Sequence, residues 1–157
     1  MKSLKSTPRS AARRAAFGFV LAAAALAAAA CGHLAMMGSA VERPDAEAFG
    51  LGPLVSEKQT YSATLQPVQP LRLRRLQSVP VLITDTQGRP VESAVISVDG
   101  GMPEHGHGLP TQPRVTALGS GMYQIEGLRF SMGGWWQLKL AIDASAGADR
   151  ITFNLSL

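Results

Sequence analysis

Between Gly100 and Pro110 the chain reads Gly-Gly-Met-Pro-Glu-His-Gly-His-Gly-Leu-Pro. Two of its three histidines, a carboxylate and a thioether fall within six residues of this stretch. Imidazole, carboxylate and thioether are the side chains from which transition-metal sites are built. Gly106 between the two histidines removes a Cβ constraint, so that both rings can converge on one ion. Met102, His105 and His107 are the candidate ligands. Glu104 and Met132, the latter from the segment Phe130-Ser131-Met132-Gly133-Gly134, are further ones. Imidazole with thioether suits copper, and the thioether favours copper(I). Glu104 would instead complete a zinc or copper(II) site. Two histidines alone do not hold an ion tightly, so a third ligand has to come from another strand end. The same residues admit two other readings: imidazoles hydrogen-bonded to backbone that stiffen a loop, or a rigid loop that docks a partner.

Catalysis has less to work with. The only thiol, Cys31, lies upstream of the folded part, and no serine stands in a pattern that would activate it. The protein is expected not to be an enzyme, and no small-molecule substrate is indicated.

The glycines and prolines around the histidines make the segment a shaped loop, and strands have to position it. Val79, Val81 and Ile83 alternate with Pro80, Leu82 and Thr84; Ala94, Ile96 and Val98 with Val95, Ser97 and Asp99; Tyr123 and Ile125 with Met122 and Gln124. Trp136, Leu138, Leu140 and Ile142, then Ile151, Phe153, Leu155 and Leu157, repeat the pattern. Period two buries one face of each strand and wets the other. Turn residues separate the runs at 85–88, 119–121, 133–134 and 144–148. No helical period is seen after Ser56. The pattern predicts an all-β fold, a single immunoglobulin-like antiparallel β-sandwich of about seven strands. Trp135 and Trp136 should point to opposite faces, one into the core and the other toward solvent. Arg72, Arg74 and Arg75 read as a solvated strand edge that discourages edge pairing, with a docking patch as the alternative.

The N-terminus has a different character. Lys2, Lys5, Arg9, Arg13 and Arg14 precede an uncharged, alanine-rich run from Ala15 to Ala30, then Cys31. This order describes an export signal. Leu26-Ala27-Ala28-Ala29-Ala30-Cys31-Gly32 resembles a bacterial lipobox, whose cysteine is lipidated, with Ala28 where Leu or Val is usual. An uncleaved anchor helix and a soluble signal cut at an Ala-x-Ala site are the alternatives. The organisation expected is a signal over residues 1–30, a tether over 31–56 and the sandwich over 57–157. The protein would then stand on the periplasmic side of a bacterial membrane, held by lipid or helix. All eleven acids follow Cys31, with ten of the fifteen basic residues, so the part after the signal carries about one negative charge. That balance excludes nucleic acid as a partner.

Three segments in order carry a family resemblance: Val81-Leu82-Ile83-Thr84-Asp85-Thr86-Gln87-Gly88-Arg89-Pro90-Val91, the Met-Pro-Glu-His-Gly-His-Gly loop, and the stretch from Gly121 through Trp135-Trp136 to Leu138. Together they resemble the YtkA-like/FixH-like group of small exported β-sandwich domains, over roughly residues 60–157. The resemblance implies an accessory or metal-handling role, with copper as the suspected ion. Members often carry Met-Pro-x-Met-x-His, and His105 stands here in place of the middle methionine, which favours a harder ligand set. The expectation is a membrane-tethered, copper-binding accessory protein for metal delivery or tolerance. The alternative is a non-enzymatic interaction module, an assembly factor or accessory subunit of an envelope complex, whose loop is structural or docks a protein partner.

Overall fold

Each run of alternating apolar residues forms a strand, and its apolar positions face one core. The computed structural model describes residues 41–157; the predicted signal, Cys31 and the first part of the predicted tether lie outside them. Nine strands follow in chain order: β1 (Leu54–Val55), β2 (Tyr61–Leu65), β3 (Gln77–Asp85), β4 (Val95–Met102), β5 (His107–Gly108), β6 (Arg114–Gly119), β7 (Met122–Leu128), β8 (Trp135–Ala144) and β9 (Gly147–Ser156). They make two sheets, ordered β1-β2-β3-β7-β6 and β5-β4-β8-β9, with every ladder antiparallel. This is the predicted β-sandwich. β1 and β5, two residues each, bring its strand number above the expected seven. The predicted turn at 144–148 narrows to a two-residue hairpin turn at 145–146.

Val79, Val81 and Ile83 of β3, Tyr123 and Ile125 of β7, Trp136, Leu138, Leu140 and Ile142 of β8, and Ile151, Phe153 and Leu155 of β9 fill the space between the sheets. The connection from β3 to β4 is fixed from below by Tyr123. Its hydroxyl donates to the Val91 carbonyl (2.8 Å) and accepts from the Ala94 N–H (2.9 Å).

Three findings differ from expectation. First, both adjacent tryptophans are buried. Trp136 enters the core, edge-on to Phe130 at 5.2 Å between ring centres. Trp135 lies on the outer face, where Phe49 meets it edge-on at 6.4 Å and Asn154 Oδ1 accepts from its Nε1 at 2.9 Å. Second, residues read as tether pack on the sandwich. Phe49 bridges Asn154, the Leu65 N–H donates to the Leu51 carbonyl (2.7 Å), and β1 pairs with β2. An aromatic this large stays buried only if something covers it, and the N-terminal segment is the cover. Third, Arg72, Arg74 and Arg75 lie in the loop between β2 and β3, not on a strand edge.

At one end of the sandwich a buried carboxylate ties the sheets together. Asp149, at the start of β9, accepts from the backbone N–H groups of Lys58 (3.0 Å), Thr60 (3.2 Å) and Arg150 (2.8 Å). Ser56 Oγ accepts from the Tyr61 N–H (2.8 Å), and the Tyr61 hydroxyl donates to the Gly147 carbonyl (2.6 Å). Burial first, then the charge of Asp143, raises the Tyr61 phenol above its ordinary pKa. The histidine segment lies at the other end.

Candidate functional site

Met102 and His107 face each other across the β4–β5 pair, and residues 103–106 form the four-residue turn of that hairpin. The sequence folds this way for local reasons. Pro103 presets the turn. The His105 N–H closes it on the Met102 carbonyl at 3.1 Å. Gly106 takes φ +64°, a left-handed conformation that glycine adopts at no steric cost. The Leu109 N–H returns to the Gly100 carbonyl at 2.9 Å and closes the base.

His105 and His107 emerge side by side at the tip, both exposed. Their ring centres are 6.1 Å apart and their planes 18° from parallel. Glu104 is beside them on the turn and pairs with Arg43 at 3.6 Å. Both partners of that ion pair are substantially exposed, so it contributes little to stability. Arg43 also covers the Phe49 ring at 5.2 Å, which connects the N-terminal segment to both the hairpin and Trp135.

Met102 differs from the other candidates. It is 1% exposed and belongs to the hydrophobic core. Its terminal methyl lies 2.8 Å from where a Cβ on Gly134 would stand. Met132 is 38% exposed in the loop before β8, and its carbonyl accepts from Trp136 Nε1 at 2.9 Å. The structure therefore brings the two imidazoles together with the Glu104 turn, and places the Met102 thioether in packing below them. Among the described residues no three His, Cys, Asp or Glu side chains group as ligands for one ion. The exposed donors of the tip are two ring nitrogens and a neighbouring carboxylate, a set suited to copper(II) or zinc.

The foundation of the hairpin is Gly134. It adopts φ +128° against the Met102 methyl. Gly134→Ala should destabilise the domain by about 1–3 kcal/mol through backbone strain, read as a lowered urea midpoint. The histidine rings, being exposed, should show no such effect when truncated.

Sequence reasoning passed over Ser56 and Asp149, two buried polar side chains at the opposite end. The available signal was parity. Asp149 continues the buried positions Ile151, Phe153 and Leu155 of β9, and a carboxylate at a core position has to be fully hydrogen-bonded.

A family model described as YtkA-like matches residues 56–141, which is more than half of the chain and includes the histidine hairpin. No curated protein and no solved structure matches the chain.

Proposed function

The chain belongs to the YtkA-like family, and from that membership and the paired imidazoles we propose that it is an exported, membrane-tethered accessory protein that binds copper for delivery or tolerance. The carrying observation is the placement of His105 and His107 on one hairpin, 6.1 Å apart between ring centres. A metal–nitrogen bond of about 2.0–2.1 Å plus the ring radius puts two imidazoles sharing one ion about 5–6.5 Å apart. The separation already present falls within that span; the rings, 18° from parallel, would turn to aim their nitrogens at one ion. His105 and His107 would hold the ion, with Glu104 exchanging Arg43 for it. Divalent copper ranks highest for such a nitrogen and oxygen set. Two or three exposed ligands favour capture and release over permanent storage, which suits a protein that passes its ion on.

The test is a copper(II) titration of the protein against a competing chelator, repeated with His105→Ala and His107→Ala combined. The expected result is at least a ten-fold loss of affinity, with the metal-free melting temperature unchanged. Copper affinity equal in both proteins sinks the proposal and leaves the hairpin as the docking surface of an accessory subunit. A metal-free melting temperature that falls in the double variant assigns the imidazoles a structural role instead.

A further inference from the structure

The two loops beside the histidine hairpin combine exposed apolar side chains with positive charge. The first, between β2 and β3, reads Gln66-Pro-Val-Gln-Pro-Leu-Arg-Leu-Arg-Arg-Leu and carries Arg72, Arg74 and Arg75, all exposed. Val68 is 90% and Leu76 68% exposed. The second, between β7 and β8, adds exposed Arg129 and Met132. The two are joined: Leu73 bridges Phe130, and the Arg74 N–H donates to the Phe130 carbonyl at 2.7 Å. No carboxylate occurs between Glu57 and Asp85, nor between Glu126 and Asp143. A half-open groove of about 310 Å³ runs between Pro67, Leu71 and Leu76, with Arg72 and Arg75 on its wall.

All of this sits at the hairpin end of the sandwich, because Gln77 pairs with Leu128 where β3 begins and β7 ends, and Gly134 abuts Met102. The N-terminal segment meets the same end. Val41 lines an open pocket together with Met102, Pro103 and His107, and Arg43 pairs with Glu104. The segment itself carries Glu42, Asp45 and Glu47, and Glu104 and Asp99 belong to the hairpin side; none of these lies on either basic loop. Nine residues lie between Cys31 and Val41, a reach of at most about 35 Å.

We propose that the loops 66–76 and 129–133 form a membrane-contact surface for anionic phospholipid, with Val68, Leu76 and Met132 entering the interfacial layer and Arg72, Arg74, Arg75 and Arg129 meeting the headgroup phosphates. Arginine pairs with phosphate in two parallel hydrogen bonds, and exposed apolar side chains gain by leaving water for the acyl boundary. The nearness of a bilayer rests on the tethered reading above; the contact itself rests on the charge and exposure of these loops. The consequence is orientation. The end that carries His105 and His107 is turned toward the membrane, so copper would be exchanged with a membrane-embedded partner and not with one approaching from the opposite side.

Amide hydrogen exchange of the full chain tests this, in the presence of phosphatidylcholine vesicles and of vesicles with one-third phosphatidylglycerol. Residues 66–76 and 129–133 should exchange several-fold more slowly with the anionic vesicles only. Arg72→Gln, Arg74→Gln and Arg75→Gln combined should abolish the difference, and Leu76→Asp should reduce it. Raised salt should act in the same direction as the arginine variant. Equal exchange with both lipids overturns the proposal. So does protection by a polyglutamate peptide without protection by anionic lipid, which would make the surface a dock for an acidic protein. The readout needs vesicles but no inserted anchor, so it stands apart from the tether. Lipid anchoring is tested separately by whether Cys31→Ser leaves the membrane fraction; retention there would point to an uncleaved helix.

Discussion

Replacing Asp149 with alanine should destabilise the protein by about 3–5 kcal/mol, because it leaves three backbone donors without an acceptor. The Lys58, Thr60 and Arg150 N–H groups all end on this carboxylate, and a buried donor left unpaired costs roughly 1–3 kcal/mol. The lower part of that range applies, since each of these bonds is only part-buried and water reaches some donors once the side chain is gone. Against a total stability of about 5–15 kcal/mol for a domain of this kind, the loss is large. A urea titration would show a lowered midpoint at unchanged slope. Asp149→Asn should fall between the two, since an amide keeps one oxygen acceptor but turns N–H groups toward other N–H groups. A midpoint within experimental error of the parent in Asp149→Ala would show that the clamp is dispensable.

The same carboxylate sets a pH dependence. Burial alone would raise its pKa, but the Ser56 hydroxyl and the N–H groups of Lys58, Arg150 and Thr60 outweigh burial and hold it well below the usual carboxylate range. The unfolded chain takes up the proton near pH 3.9, before the folded chain does. The stabilisation is therefore fully present above that pH and is lost as the pH falls from there toward the folded value. Asp149→Ala should flatten the acid limb of stability. A residual slope should remain from Asp85, whose carboxyl is lowered by the Arg89 N–H, and further by the Arg89 guanidinium and the Gln87 N–H.

The strands were legible because each long one has a single wet face. Val79, Val81 and Ile83, or Leu138, Leu140 and Ile142, announce both the strand and the side that is buried. Parity held more than the apolar residues alone disclose. Extending Ile96 and Val98 by two and four positions reaches Gly100 and Met102, so the burial of Met102 was implicit in β4; the two glycines interrupted the pattern and let the methionine pass for part of the loop. Asp149 was hidden in the same way, at a buried position but with a polar name. Trp135 could not be placed by such reasoning. Its cover, Phe49, comes from a segment without periodicity, and the pairing spans most of the chain. β6 was equally obscure, since an edge strand with five of its six residues exposed has no apolar face to show. The closeness of His105 and His107 was readable from the intervening Gly106. The pairing of Glu104 with Arg43 was not, because it depends on where the N-terminal segment runs.

Met102 permits a test that separates packing from ligation within one residue. Met102→Ala should cost about 2–5 kcal/mol, the range for truncating a buried methionine, because the side chain fills the core against Gly134 and holds β4 where the turn begins. Met102→Leu keeps the volume and apolar character while removing the sulfur, and should cost less than about 1.5 kcal/mol. A packing role predicts that the leucine variant binds copper(II) as the parent does, and that the alanine variant loses affinity only as its fold loosens. A ligand role predicts the reverse: stability retained in leucine, with copper affinity reduced at least as far as in the histidine double variant. In the leucine variant the fold stays intact, so chelator competition read beside its urea midpoint decides between the two roles. With Met102 in packing, the donors left for the proposed copper site would be the two imidazoles and Glu104 of the turn. Met102 would then serve the hairpin's foundation, leaving the proposed ion capture to the histidines at its tip.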